Sequence, residues 1–189
     1  MAKRCLELAP SLFLTPVVMV TCQDRDNRVN IITLAWVGVV NSEPPMIGIA
    51  VRPSRFSHGI IRESGEFVVN VPSQDLVRET DFCGITSGEE VDKLSATGLT
   101  AVPAKKLRAP LIQECPVNLE CVVREILGLG SHDLFIGEVV MVHVEETVLG
   151  PRQSIDVEKA RPFAYCPGVG QYWNLKEPVG THGFTRGQF

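Results

Sequence analysis

The chain has 189 residues, with 18 Lys plus Arg against 22 Asp plus Glu and a formal net charge of −4. At this length one domain over residues 1–189 is the expectation, and roughly 70% of the unfolded surface can be buried without disulfides or metals. Apolar residues at 44% and charged residues at 21% exclude a disordered chain, and the mild acidity lacks the broad basic face that a nucleic-acid backbone requires.

The N-terminal residues Met1-Ala2-Lys3-Arg4-Cys5-Leu6-Glu7 carry an acidic residue where a secretory signal would be apolar, so a cytoplasmic protein is expected. Pro16 to Cys22 reads as a strand that runs into the turn cluster Asp24-Arg-Asp-Asn27. Val29 to Val40 is a long apolar stretch that must bend or be buried on both faces. Asn30, Thr33, Gly38 and Asn41 interrupt it, so it falls short of the ~20 apolar residues of a membrane span, and no membrane partner is expected. Glu43-Pro44-Pro45 stops this stretch and Met46 to Val51 restarts an extended run. Ser57 to Gly65 predicts a short helix closed by a glycine. Phe67, Val69 and Val71 alternate as a strand. Ser73 to Phe82 predicts a second helix with Leu76, Val77 and Phe82 on its buried side. Ser87-Gly-Glu-Glu90 reads as a capping box opening a third, with Val91 and Leu94 inward. Val117, Leu119, Cys121 and Val123 alternate in a later strand, and Ile136, Val140, Val142 and Val144 share one face of another over Leu134 to Glu145.

About seven strands and two or three short helices, without β-α-β alternation, predict a mainly β protein: an antiparallel barrel with one wet side and short helical insertions. The chain is expected to loosen after about Cys166, with a core over about 10–175 and a C-terminal tail over 176–189. Six cysteines (Cys5, Cys22, Cys83, Cys115, Cys121, Cys166) are dispersed without a Cys-x-x-Cys, so reduced thiols serving mostly as small core residues are expected.

Gly128-Leu-Gly130-Ser-His-Asp133 begins like a dinucleotide loop, but its sixth position is Asp and it joins two strands; a hairpin turn is the expectation. Walker, His-Glu-x-x-His and Gly-x-Ser-x-Gly patterns are missing, and His58, His132, His143 and His182 are far apart, so no metal site is read. One segment carries binding chemistry. Arg52-Pro53-Ser54-Arg55-Phe56-Ser57-His58 follows an extended run and opens a helix, so two guanidinium groups, two hydroxyls and free backbone N–H groups can converge on a dianion. The plain alternative is an N-cap serine between solvated arginines. Flavin mononucleotide (FMN), pyridoxal phosphate or a sugar phosphate all fit a phosphate site of this kind. In Asn30-Ile-Ile-Thr33-Leu34-Ala35-Trp36, polar groups interrupt a barrel wall and need partners; a heterocycle edge supplies them, or the wall is an ordinary strand with a satisfied Asn.

With both segments in view, the chain resembles the flavin reductase-like family of FMN-binding split barrels, closest to its flavoredoxin branch, over roughly residues 10–175. Thr15-Pro16-Val17-Val18, Asn30-x-x-Thr33-x-Ala35-Trp36, Arg52-Pro53-Ser54-Arg55-x-Ser57, Phe67-Val-Val-Asn70-Val71-Pro72 and Phe82-Cys83-Gly84-x-x-Ser87-Gly88 with Asp92-Lys93-Leu94 carry the resemblance through their order and spacing. It implies a homodimeric, Greek-key split β-barrel with FMN near the subunit interface. Asn30, Thr33, Leu34, Ala35 and Trp36 would lie against the isoalloxazine. Arg52, Pro53, Ser54, Arg55 and Ser57 would hold the phosphate, with Cys83 and Ser87 nearby. Lys93 would reach the phosphate, the ribityl chain or the N1–C2 edge. His132 would approach the cofactor from the partner subunit, and Tyr165, in preference to Phe163, would give an aromatic contact. Cys83, read as near a helix start, is either a redox thiol with a depressed pKa or a buried small residue.

The function implied is an FMN oxidoreductase passing electrons from NAD(P)H or a protein donor to a flavin, metal or protein acceptor. The alternatives are a non-enzymatic electron carrier, or a nucleotide- or haem-binding module with His132 or His143 as axial ligand.

Overall fold

A computed structural model describes residues 2–5, 7, 9 and 12–186. Twelve strands follow one another in these residues: β1 (Thr15–Pro16), β2 (Val18–Gln23), β3 (Val29–Leu34), β4 (Val37–Ser42), β5 (Pro45–Val51), β6 (Glu66–Val71), β7 (Ala101–Val102), β8 (Leu111–Ile112), β9 (Val117–Gly128), β10 (Asp133–Val144), β11 (Phe163–Cys166) and β12 (Gln171–Asn174). The α-helices are α1 (Phe56–Ser64), α2 (Val77–Ile85), α3 (Lys93–Thr97) and α4 (Val157–Ala160). No helix among the described residues is long and apolar enough to cross a membrane.

Seven strands form an antiparallel sheet in the order β3-β2-β6-β9-β10-β5-β4. Its two edge strands, β3 and β4, are consecutive in the chain, and only Ala35 and Trp36 separate them. Of its two alternatives the apolar run from Val29 takes the bend, and in bending it curls the sheet back on itself. The Trp36 carbonyl accepts from the Ala50 N–H at 2.9 Å and secures the corner. With β3 and β4 taken as one bent strand, β6 returns beside β2, which is the Greek-key order. Phe67, Phe135, Ile49, Ile61 and Val20, none more than marginally exposed, fill the barrel.

Helix α1 plugs one end because its spacing demands it: Ser57, His58, Ile60 and Ile61 make one buried stripe. Gly65, at φ 69°, closes the helix with its N–H on the Ile61 carbonyl at 2.9 Å, as expected of a glycine C-cap. The Gly128–Asp133 segment is the β9–β10 hairpin turn, as its sequence suggested.

Several expectations are corrected. β6 has no wet side: Val68 is covered by Ala109 and Leu111, and the Asn70 amide oxygen accepts from the Ile112 N–H at 2.9 Å. The face predicted for β10 holds only for its second half. Phe135 and Val139 point into the barrel, not Ile136, and a bulge at Val140 then turns the strand over, so that Val142 and Val144 lie opposite Leu119 and Val117 on the barrel side, Val142 still 49% exposed. The buried side of α2 is Thr80 and Cys83, with Leu76, Val77 and Phe82 only half-buried. Ser87 caps no helix; residues 87–90 form a turn, and α3 is capped by Asp92, whose carboxylate accepts from the Leu94 and Ser95 N–H groups. Regular structure continues past Cys166, because β11 and β12 pair and join β1 in a second, three-stranded sheet, and beyond Asn174 no strand or helix follows among the described residues.

Candidate functional site

Two adjoining concavities open beside the β3–β4 corner, and Ile32, Arg55 and Gly84 belong to both. The broader, about 330 Å³, is lined by Thr33, Leu34, Ala35 and Trp36 from the corner and by Arg52 from the end of β5. His132 and Tyr165 complete it opposite. The narrower, about 140 Å³, gathers Asn30, Ser54, Arg55, Ser57, Cys83, Ser87 and Lys93. Fourteen of the fifteen residues singled out from the sequence thus line one continuous cleft, and Pro53, exposed on the turn, lines neither part.

The narrow part is built around the start of α1. Its N-cap is Arg55, with no side chain bonded to the first-turn N–H groups and no acidic residue there, so the positive end of the helix faces the pocket unneutralised. The expected alternative of an N-cap serine is not what the fold contains. Ser57, 1% exposed, accepts from Asn30 Nδ2 at 2.7 Å, and its own hydroxyl is within hydrogen-bond reach of the buried Cys22 sulfur. Asn30 is in turn pressed by Gly88: a Cβ on that glycine would lie 1.9 Å from Asn30 Oδ1. Arg28 locks this turn from outside, donating to the Gly88 carbonyl while its guanidinium lies 4.7 Å over the Phe56 ring at the α1 start. Lys93, 4% exposed, donates to the carbonyls of Ile31 and Cys83 at 2.7 Å each, and burial lowers its pKa. Two of its three N–H bonds are thereby committed inside the wall.

In the broad part the Trp36 and His132 rings sit 4.3 Å apart. Burial, reinforced by the Arg52 guanidinium, lowers the His132 pKa and favours the neutral imidazole. Both arginines line the broad part, and Arg55 lines the narrow part as well. His132 lines the cleft of its own chain. Thr33 donates to the Thr80 carbonyl at 2.5 Å, so the polar groups of this wall are satisfied from within. Cys83 lies in the last turn of α2, away from any helix start, and burial pushes its thiol up to about 11; it is the buried small residue of the two readings.

Tyr172, Asp81 and Gly84 also line the cleft and were not anticipated. Tyr172 donates to the Asp81 carboxylate at 3.0 Å and sits 5.2 Å from the Tyr165 ring. Burial first and that carboxylate second raise its pKa. The signal was present: Gly168-Val-Gly170 followed by Tyr172-Trp173 is a glycine turn leading into an aromatic strand.

Residues 11–169 match the family described as flavin reductase like domain. The chain superposes on flavoredoxin of Desulfovibrio vulgaris (Miyazaki F) with a TM-score of 0.92 and 33% identity, covering 98% of this chain and 100% of that one. An FMN-binding protein from Thermus thermophilus gives 0.78 and 25%, over 96% and 99%. An uncharacterized protein of Archaeoglobus fulgidus is 40% identical over 113 residues, which is 60% of this chain and 64%, just under two thirds, of the relative.

Proposed function

Because the chain belongs to the flavin reductase-like family, we propose that it is an FMN-dependent oxidoreductase that takes electrons from NAD(P)H or a redox protein and passes them to a flavin, metal or protein acceptor. The observation that carries this reading is the junction of an uncapped helix start with an aromatic-walled cleft, which fits a dianionic tail joined to a planar ring. The residues present fit the group. Arg55, Ser54, Ser57 and the first N–H groups of α1 hold the phosphate, with Ser87 and Lys93 beside them. Trp36, with His132 packed against it, Ala35 and Leu34 flank the ring from the corner, and Tyr165 lines the same cleft. When bound, FMN supplies the electron transfer; the chain supplies binding, orientation and charge.

Arg52 lines the ring compartment alone, whereas Arg55 is shared with the phosphate pocket, and the Arg52 charge favours negative charge on the reduced ring. Lys93, spent on two carbonyls, braces the phosphate pocket instead. Flavoredoxin similarity supports a second reading, an electron carrier without its own reductase turnover. Anaerobic stopped-flow mixing of the FMN-loaded protein with NADH or NADPH separates them: rapid bleaching near 450 nm is expected of a reductase, and inertness to both nucleotides refutes that activity.

A second copy of this chain is the proposed structural partner, in the cytoplasm. Val39 at 76% and Val142 at 49% exposure border an apolar groove with Met46, Ile47 and Met141. Val142→Glu is expected to shift sedimentation from dimer to monomer.

A further inference from the structure

A second concavity of about 640 Å³ lies on the far side of Tyr172, between β12 and the turn that leads into α2. Tyr172 lines both this concavity and the broad cleft, so the two share a wall one ring thick. That wall is fixed: the Tyr172 hydroxyl is held by Asp81, and its ring meets Phe163 edge-on at 5.7 Å. The surface beyond it combines two chemistries. Trp173, 53% exposed, offers a broad indole face at a position where nothing in the barrel requires one. Gln74, Gln171 and Asn174 offer three primary amides around it.

The polar rim is preorganised. Arg161 bonds the Asp75 carboxylate at 2.7 Å and faces the Gln74 amide oxygen, while the Gln74 N–H donates to the Arg161 carbonyl at 2.8 Å. β12 is also the outer strand of its three-stranded sheet, which leaves one row of its N–H and C=O groups without a strand partner there.

A flat π face beside primary amides is the chemistry that recognises a purine: an amide side chain pairs with the adjacent acceptor and amino donor of adenine, and an aromatic ring stacks on its face. A carboxylate at the rim accepts from ribose hydroxyls. We propose that this concavity binds the adenosine end of a nicotinamide dinucleotide whose other end enters the broad cleft past Tyr172. The inference rests on the reductase reading above and adds to it where the donor is held. Trp173 stacks the base, and Gln171, on the same face of β12, reads its edge. Asp75 receives the ribose.

The probe that isolates this site is ADP-ribose, which carries the adenosine end and lacks the nicotinamide. Titrated calorimetrically into the FMN-loaded protein, it is expected to bind, and Trp173→Ala is expected to weaken it about tenfold or more while leaving FMN affinity unchanged. Trp173→Phe, which keeps a stacking face, restores most of the loss. Absence of ADP-ribose binding to the wild-type protein, or equal binding by Trp173→Ala, overturns the site. NADH bleaching tests the reductase reading separately: bleaching without ADP-ribose binding refutes the adenosine site alone, and ADP-ribose binding with NADH inert supports the site and refutes the reductase reading.

Discussion

Gly88→Ala puts the phosphate pocket under direct strain. The added methyl carbon would lie 1.9 Å from Asn30 Oδ1, 2.5 Å from its Cγ and 2.9 Å from its Nδ2. Asn30 is 4% exposed and cannot swing into solvent, so relief has two routes. The 87–90 turn retreats, which breaks the Arg28 bond to the Gly88 carbonyl and widens the pocket, or Asn30 rotates and gives up Ser57. Overpacking of this kind costs about 1–3 kcal/mol, and a lost hydrogen bond adds about 1 kcal/mol. Because the pocket must close in its native shape around the phosphate, most of this cost should register in FMN affinity, as a weakening of roughly ten- to a hundred-fold. Quenching of FMN fluorescence on titration measures it. Gly59→Ala is the control: a Cβ there meets nothing within 4 Å, and a helix-interior alanine should stabilise α1 by up to about 1 kcal/mol without loss of affinity. FMN binding by Gly88→Ala within about twofold of wild type would show that the turn does not shape the pocket.

Three further outcomes follow from buried and charged groups. Glu120 is fully buried; burial pushes its carboxyl up, but His143 and the N–H groups of Lys105, Lys106 and Leu107 outweigh that and hold it below its unfolded value of 4.5. Its stabilisation is therefore complete above that value and is lost as pH falls through the lower, folded one, so wild-type melting temperature should drop in acid. Glu120→Gln should melt lower at pH 7 and show a flatter acid limb, and equal acid limbs would contradict this. Cys83, its thiol raised to about 11, should resist iodoacetamide in the native protein at neutral pH, and Cys83→Ser should leave FMN reduction unchanged. Arg52→Ala should make the reduction potential of bound FMN more negative, measured by equilibrium dye reduction, with a smaller effect on FMN affinity than Arg55→Ala; an unchanged potential would place the Arg52 charge away from the ring.

The barrel was legible because its strands carry their own signals. The single bend forced on Val29 to Val40, the Pro44-Pro45 stop and the Gly65 helix end each follow from local chemistry. The binding turn was legible for the same reason: Arg52 to Ser57 is contiguous, and the donors that line the narrow pocket project from one strand-to-helix junction. What the sequence did not disclose depends on distant partners. Ser87 in a Ser-x-x-Glu pattern reads as a cap, yet Asp92 captures α3 because its carboxylate reaches two N–H groups. The β10 face was misread before its bulge because a one-residue insertion is invisible in an alternating pattern: Val142 and Val144 face the barrel after it, and Phe135 and Val139, not Ile136, face the barrel before it. Asn30 and Thr33 looked like ligands for a heterocycle, whereas Ser57 and the Thr80 carbonyl, 27 and 47 residues away, satisfy them. Tyr172 escaped notice because its role depends on pairing with β11 and on Asp81, 91 residues earlier.

The central claim is that the uncapped start of α1 grips a phosphate, and comparison of FMN with riboflavin tests it most directly. The two share the ring and ribityl chain and differ only in that dianion. Charge-assisted bonds from Arg55, Ser54, Ser57 and the helix N–H groups should make FMN bind at least about a hundredfold tighter, and Arg55→Ala should shrink that gap by weakening FMN more than riboflavin. Equal affinity for FMN and riboflavin in the wild-type protein would contradict the account.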